Sequence, residues 1–444
     1  MEEKIKNLIN EALKNLGIEN GDFVVEHPAD LSMGDYSTNV AMALAKEQKV
    51  NPKDLAEKIV SELLLLNKGE AGRGSIEKVE SKNGFINFYL SREFFTESIG
   101  EILKDEKFGQ NKILKGKKVM VEYGQPNPFK PFHIGHLMNI TIGESIARLV
   151  EFSGANVVHA NYQGDIGLHI GKSIYGLLQK GKPDNSLSVE AQAEYIGTCY
   201  SFASNLYKED ESIKNEIDEI NKKVYERSDE NINELYDWGR KLTLEAFELI
   251  YKKLGTKFEY YFFESEMAPI GMKIVKDNMG KVFSESDGAI VFKADEHDPK
   301  LHTRVFINSK GLPTYETKEI GLTVTKFEKE NPDLSLIITA IEQGEYMKVV
   351  QRAVSLIHPE YESRMKHFTY GMMRFASGKM SSRLGNIVTG ESLIKDIESS
   401  VLEKIQDRDL MIEEKRKISA QVGVGALKYS ILRQATGGDI IYDY

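Results

Sequence analysis

The chain has 444 residues and a net charge of -10, from 58 Lys and Arg against 68 Asp and Glu. That length exceeds one ordinary core and asks for about two to four domains. The acidic balance excludes a protein that coats nucleic acid indiscriminately, but not one that grips a single RNA through local basic patches.

One cysteine, Cys199, excludes an internal disulfide framework and a Cys-rich zinc site, and reads as a small buried apolar residue. No run approaches the roughly 18 apolar residues of a membrane span. The charged, amphipathic start MEEKIKNLIN is unlike a secretory leader, so a cytoplasmic protein without a membrane association is expected.

Residues 1–110 read as a separable α+β domain. Ile5, Leu8, Ile9, Leu13 and Leu16 form a helical stripe closed by Gly17, and Phe23–Val25 begins a strand. Asn51 and Pro52 open a second helix through Leu55, Ile59 and Leu63, and GFINFYL (84–90) alternates as a strand whose aromatics are expected in the core. A basic hinge, KILKGKK (112–118), marks the boundary near residue 110.

The stretch from Val119 to Gly154 organises the rest of the chain. Val119–Tyr123 reads as a buried strand, and Pro126, Pro128 and Pro131 then forbid regular structure until a helix starts at His133 and stops at Gly154. The loop thus delivers His133 and His136, one turn apart, to a helix N-terminus whose free N–H groups favour an anion. Gly135 between them leaves room for a nucleotide, and Lys130 stands nearby. A chance pair of histidines or a metal pair would also fit the spacing, but no second His/Cys cluster is in sight.

NVVHAN (156–161) completes a βαβ unit. Residues 181–255 then turn helical and acidic and read as an inserted helical pair outside the sheet, with Trp238 packed against the sheet domain. Strands are expected again at Phe258–Phe263, Ala289–Lys293, Val305–Asn308 and Leu334–Ala340, and helices from Thr389, the last over Gln421–Gln434. The fold class is α/β, a Rossmann-type doubly wound parallel sheet over 111–388 with a helical insertion. The α+β domain precedes it, and a helical stem comes after it over 389–444.

Two further groups carry chemistry. The Gly/Ser-rich basic loop at 378–386 holds Lys379, Ser381, Ser382 and Arg383, which can close on a triphosphate and stabilise charge that develops during transfer. Glu122, Asn127, Tyr315, Glu319 and Gln343 would gather at the ligand edge of the sheet. Carboxylates with amide and phenol acceptors suit a planar guanidinium. From spacing alone, Tyr315 in the core and Glu319 on a helix surface is the blander reading.

HIGH at 133–136 and KMSSR at 379–383 resemble the two motifs of class I aminoacyl-tRNA synthetases. EYGQPNPFKPFHIGHL, NYQGDIGLHIGK, GLPTYETKEIGL and MSSRLGNIV resemble blocks of the arginyl-tRNA synthetases, and MGDYSTNVAMALAK with NGFINF resembles their N-terminal, tRNA-contacting domain. The resemblance implies that L-arginine and ATP, the latter with Mg2+ as a substrate complex and no structural metal, form arginyl-adenylate. The arginyl group then passes to the terminal ribose of tRNA(Arg), and family members characteristically need tRNA bound before activation.

By matching positions, His133 and His136 would handle the phosphates with Gly135 under the adenosine, and Lys379, Ser381, Ser382 and Arg383 would form the closing loop. Gln125, Asn127 and His136 would touch arginine, with Tyr315, Glu319 and Gln343 completing the pocket and Glu122 close by. Ser382 stands where the class motif has its second lysine, a part that Lys130 is placed to take, and Glu319 stands where an aspartate is common. The chain stops at Tyr444, where the family continues into an anticodon-binding domain. A monomer is expected, either a truncated chain or one whose anticodon-binding segment is supplied separately. A small HxGH nucleotidyltransferase and a non-catalytic RNA-binding or regulatory relative are the alternatives.

Overall fold

The computed structural model describes residues 1–19, 21–67, 75–375, 389–435 and 437–442. The chain divides into two compact units, Met1–Gln110 and Asn111–Tyr444. The first runs α1 (Glu2–Asn15), β1 (Val25–Glu26), β2 (Tyr36–Thr38), α2 (Val40–Ala45), α3 (Pro52–Asn67), β3 (Ile76–Lys82), β4 (Phe85–Leu90) and α4 (Arg92–Lys104). Its strands form an antiparallel sheet in the order β1-β2-β4-β3. Ile5, Ile9 and Leu13 of α1 pack with Leu55 and Ile59 of α3 and with Ile86 and Phe88 of β4. The strand expected over Phe23–Val25 begins only at Val25. Of the aromatics in β4, Phe88 is core, Phe85 is exposed, and the Tyr89 hydroxyl donates to Glu80.

The second unit opens with β5 (Lys118–Glu122), α5 (Ile134–Phe152), β6 (Asn156–Gln163) and α6 (Leu168–Lys180). Three inserted helices come next, α7 (Val189–Glu209), α8 (Glu211–Glu226) and α9 (Glu230–Leu254). Then come β7 (Tyr260–Phe263), α10 (Glu264–Asp277), β8 (Ser284–Ser286), β9 (Ala289–Phe292), β10 (Arg304–Ile307), α11 (Tyr315–Glu330), β11 (Leu334–Ala340) and α12 (Gly344–Ile357). The chain finishes with β12 (Met365–Tyr370), β13 (Met373–Phe375), α13 (Gly390–Lys404), α14 (Ile412–Leu432) and β14 (Ile440–Tyr442).

Five parallel strands line up as β12-β11-β5-β6-β7. From β5 the chain steps to β6 and β7 on one side, then crosses back to β11 and β12 on the other. The crossovers on the two sides of β5 therefore leave on opposite faces and open a crevice at the carboxyl ends of β5 and β11.

Asn139 of α5 braces that crevice. Its Oδ1 accepts the Gly124 N–H at 2.5 Å and its Nδ2 donates to the Ile338 carbonyl at 2.9 Å, so one buried amide ties the loop after β5 to β11. The segments β13 and β14 pair in parallel. Leu393 and Ile394 of α13 and Leu427 and Ile431 of α14 bury in the same core as Val119, Val121 and Leu137, so these two helices form part of the second unit's core.

Two features of the insertion differ from the sequence reading. The expected pair is three helices, because Asp210 ends α7 and its carboxylate accepts the N–H groups of Ser212 and Ile213 to start α8, and Asp229 repeats the device for α9. Trp238 packs into the insertion's own core rather than against the sheet, with the Lys182 ammonium 5.0 Å from its ring centre. The last helix starts nine residues before Gln421, at Ile412, since its first turns are polar and exposed and leave no apolar period to read. Fully buried Asp165 fastens the insertion to the sheet, accepting from Arg240 Nε at 2.9 Å, from Tyr236 OH at 3.3 Å, and from both the N–H and hydroxyl of Ser265.

Helices α10 and α11 cross at backbone contact. A Cβ on Gly321 would lie 2.3 Å from the Met267 carbonyl oxygen, and one on Gly271 would lie 1.9 Å from that of Thr317. Only glycine at both positions allows this approach, which brings Glu264 and Lys318 together. Gly321→Ala is expected to lower stability by about 1–3 kcal/mol, read as a fall in the urea midpoint. Gly425→Ala, at an exposed position in α14 with nothing within 4 Å of the added carbon, should leave the midpoint unchanged or slightly raised.

Candidate active site

A cavity of about 450 Å³ occupies the crevice. All five parallel strands feed it from their carboxyl ends: Gly124, Gln125 and Asn127 after β5, Gly164 after β6, Glu264 after β7, Gln343 after β11, and Gly371 after β12. His133, Gly135 and His136 line it from the start of α5, and Tyr315 and Glu319 from α11.

The two histidines cap α5. His133 Nδ1 accepts the Gly135 N–H at 3.1 Å, and His136 Nδ1 accepts the His133 N–H at 3.3 Å, with the rings stacked 3.6 Å apart. Each Nδ1 that accepts must be unprotonated, so both rings are neutral and carry their proton on Nε2. Burial holds both in that state, pushing His133 down to about 4 and His136 well below the usual imidazole range, with the nearby Lys130 ammonium acting in the same direction. The space expected above Gly135 is taken by the His133 ring, 3.0 Å from where a Cβ would lie. A side chain at that position would press on the ring that caps the helix.

The opposite wall is acidic. Glu319 is buried and its Oε2 has no hydrogen-bond partner. Glu264 is paired with Lys318 Nζ at 2.6 Å. Tyr315, by contrast, is 65% exposed at the cavity's mouth, so the exposure suggested by spacing alone is reversed for both residues: the phenol is outside and the carboxyl inside. The reason is the tight α10–α11 crossing, which turns the first polar face of α11 inward. Asn127 Oδ1 accepts the Gly164 N–H at 3.1 Å, leaving its Nδ2 for a ligand.

Glu122 does not line the cavity. It is fully buried beneath it, where Oε2 accepts from Lys326 Nζ at 2.7 Å and Oε1 accepts from Gln125 Nε2 at 2.9 Å. Gln125 reaches back because its backbone turns left-handed, with φ 55°. Lys130 lies on the far side of Pro131, lining a second cavity of about 420 Å³ between the proline loop, α7, α9 and α13, with its ammonium 5.7 Å from the Tyr200 ring centre. Lys379, Ser381, Ser382 and Arg383 lie outside the described residues.

Sequence reasoning did not find Glu264, Lys318, Lys326, Asn139 or Tyr346. Lys318 and Lys326, three and eleven residues after Tyr315, look like ordinary solvated helix lysines. A signal was available in the lack of any clear polar face along α11, most of which is buried. Among the described residues no group of three or more His, Cys, Asp and Glu side chains is placed to hold a metal ion, and no helix is long and apolar enough to cross a membrane.

Comparison with known proteins bears on this arrangement. The family model described as tRNA synthetases class I (R), catalytic domain, matches residues 98–444, and that of the arginyl tRNA synthetase N terminal domain matches residues 3–90. An arginine–tRNA ligase of Clostridium perfringens is 28% identical over 99% of this chain and 76% of its own length. One of Borrelia hermsii is 26% identical over 100% and 76%. The fold is shared with the Thermus thermophilus arginyl-tRNA synthetase (TM-score 0.67, 20% identity, covering 100% of this chain and 77% of that one). It is also shared with the Plasmodium falciparum enzyme (TM-score 0.61, 20% identity, 100% and 76%). With class motif, switch-point cavity and N-terminal domain in place, the chain belongs to the arginyl branch of the class I tRNA synthetases.

Proposed function

We propose that the crevice joins L-arginine to tRNA(Arg) in two steps, with ATP as the energy source. The observation that carries the substrate assignment is the buried, unpartnered carboxyl oxygen of Glu319 in a cavity whose other wall is a helix N-terminus capped by two neutral histidines. A guanidinium offers five donors in one plane, and Glu319, Gln343 and Tyr315 offer acceptors for them. Asn127, Gln125 and His136 are left for the amino-acid backbone.

In the first step the arginine carboxylate attacks the α-phosphorus of ATP, a P–O bond forms, the bond to the bridging oxygen breaks, and pyrophosphate leaves. His133 and His136 donate Nε2–H to phosphate oxygens without changing protonation state, so their contribution is oriented dipoles set before the substrate arrives. ATP enters with its magnesium as a substrate complex. Lys379 and Arg383 supply cationic charge from the closing loop, and Lys130 acts on the same phosphates through the field it already exerts on both histidines. In the second step a hydroxyl of the terminal ribose attacks the arginyl carbonyl, its proton passes to a phosphate oxygen of the adenylate, the acyl–phosphate bond breaks and AMP leaves, and the N-terminal unit meets the tRNA.

Amino-acid-dependent ATP–pyrophosphate exchange across the twenty amino acids, with and without tRNA, tests the assignment. Exchange with arginine alone, requiring tRNA, is the expected outcome, and exchange with a different amino acid overturns it. His136→Ala should lower that exchange by about 100-fold to 1000-fold with the fold intact by circular dichroism. Gln343→Ala should raise the KM for arginine by about tenfold and that for ATP by less than twofold, a change of about 1.4 kcal/mol. Equal changes would place Gln343 elsewhere.

The depressed histidines also predict an acid limb. An unfolded histidine titrates near 6.5 and buried His133 near 4. Between those values the unfolded chain binds more protons, so the stabilisation from the neutral ring is complete above about pH 6.5 and drains away as pH falls. Urea midpoints at pH 6.5, 5.5 and 4.5 should fall by the equivalent of roughly 1 kcal/mol per unit for this histidine, a slope that His133→Gln reduces.

A further inference from the structure

Two carboxyls lie at and beneath the floor of the cavity, and their partners differ. Glu122, at the end of β5, is fully buried with both oxygens engaged, one by Lys326 from α11 and the other by Gln125. Lys326 is also fully buried. Its aliphatic stem and ammonium never reach the cavity, whose lining includes neither Lys326 nor Glu122. Glu319 lies two helical turns back along α11 with its Oε2 unpartnered.

The other charged and titratable groups around it come from several elements. From α10, Glu264 is already neutralised by Lys318. From α12 comes the Tyr346 hydroxyl, which favours the ionised carboxyl. From β6 comes Tyr162, whose hydroxyl is buried and unpartnered, and from β12 His367, bonded to Thr339 and held near 4 by burial. Exposed Glu342 lines the same cavity.

A carboxylate in such a place has lost its water, faces the negative charge of Glu122, and has no cation of its own. We propose that Lys326 is a positioning residue that fixes the charge of the arginine pocket: by pairing with Glu122 and keeping it turned away, it leaves Glu319 as the buried carboxyl that receives the guanidinium, neutral while the pocket is empty and losing its proton to solvent when arginine enters. The proposal rests on the arginine reading given above. In the step the carboxyl O–H bond breaks, the proton passes to buffer, and the carboxylate pairs with a guanidinium that stays protonated throughout. Burial and the neighbouring Glu122 charge push Glu319 up to about 8, which agrees with a neutral carboxyl at pH 7.

The test is calorimetric titration of the full chain with L-arginine at pH 7 in two buffers of different ionisation enthalpy, phosphate and Tris. The difference in heat should report about 0.9 proton released per arginine, the fraction that a group titrating near 8 holds at pH 7. Between pH 8 and 6 the affinity should fall about fiftyfold in all, approaching tenfold per unit at the lower end, a window clear of His133 and His367, which titrate near 4. Glu319→Gln should bind more weakly and release no proton.

Lys326→Arg should keep the wild-type stoichiometry. Lys326→Met should loosen arginine by more than about tenfold, while ATP affinity stays within about twofold. Equal loosening of both ligands would reduce Lys326 to a structural residue. Should the methionine variant fail to fold, the wild-type stoichiometry and the arginine variant still decide the matter. Arginine binding with no buffer dependence overturns the inference and leaves the substrate assignment standing. No arginine binding at all overturns the substrate assignment, and the inference with it.

Discussion

Everything in the catalytic unit depends on one topological constraint, the reversal of strand order on either side of β5. A parallel sheet must cross over between strands, and the crossovers on its two sides leave on opposite faces, so the carboxyl ends of β5 and β11 part without a side chain having to be removed. That gap would close or wander if its edges were not tied. Asn139 ties β5's loop to β11 through two buried hydrogen bonds, and Asp165 ties β6's loop to α9 and α10. Both devices are single polar side chains inside apolar surroundings, where a satisfied hydrogen bond is strongly directional and an unsatisfied one is costly.

On that frame the two walls do opposite electrostatic work. The α5 wall is polar without being charged: a helix N-terminus, two imidazoles locked into the Nε2–H tautomer by their own cap, and no carboxylate in the first turn. It suits phosphate oxygens before and during their transfer. Two lysines of α11 pair with two of the three carboxyls in and beneath the opposite wall, Lys318 with Glu264 and Lys326 with Glu122, and Glu319 keeps an unpartnered oxygen facing the cavity. Neither lysine is a ligand. Their effect is exerted through the pairs they form, which is why a backbone-level feature, the glycine crossing at Gly271 and Gly321, matters for substrate chemistry at all.

Much of this architecture comes directly from local pattern. The strand Leu334–Ala340 and the prolines that hold off α5 until His133 are legible residue by residue, because continuous β-branched runs and proline each have one dominant structural consequence. The candidate site is legible only in part. Glu319, Gln343, Asn127 and Gln125 do line the cavity, whereas Glu122 lies below it, and Lys130 faces a neighbouring space on the other side of Pro131. The three-helix insertion reads as two in the sequence because aspartate ends one helix and begins the next without the glycine or proline that would mark a break.

The sequence by itself determined which chemistry is on offer: a histidine pair at a helix start, a basic serine loop, and acceptors suited to a guanidinium, each set by residue identity and short-range spacing. Only the tertiary structure decided how those groups are charged and which are free. Whether a carboxyl is paired, buried or open depends on what another element brings against it, and Lys326 meets Glu122 from 204 residues away. Charge state is a property of surroundings, and surroundings are made by long-range packing that no local pattern encodes.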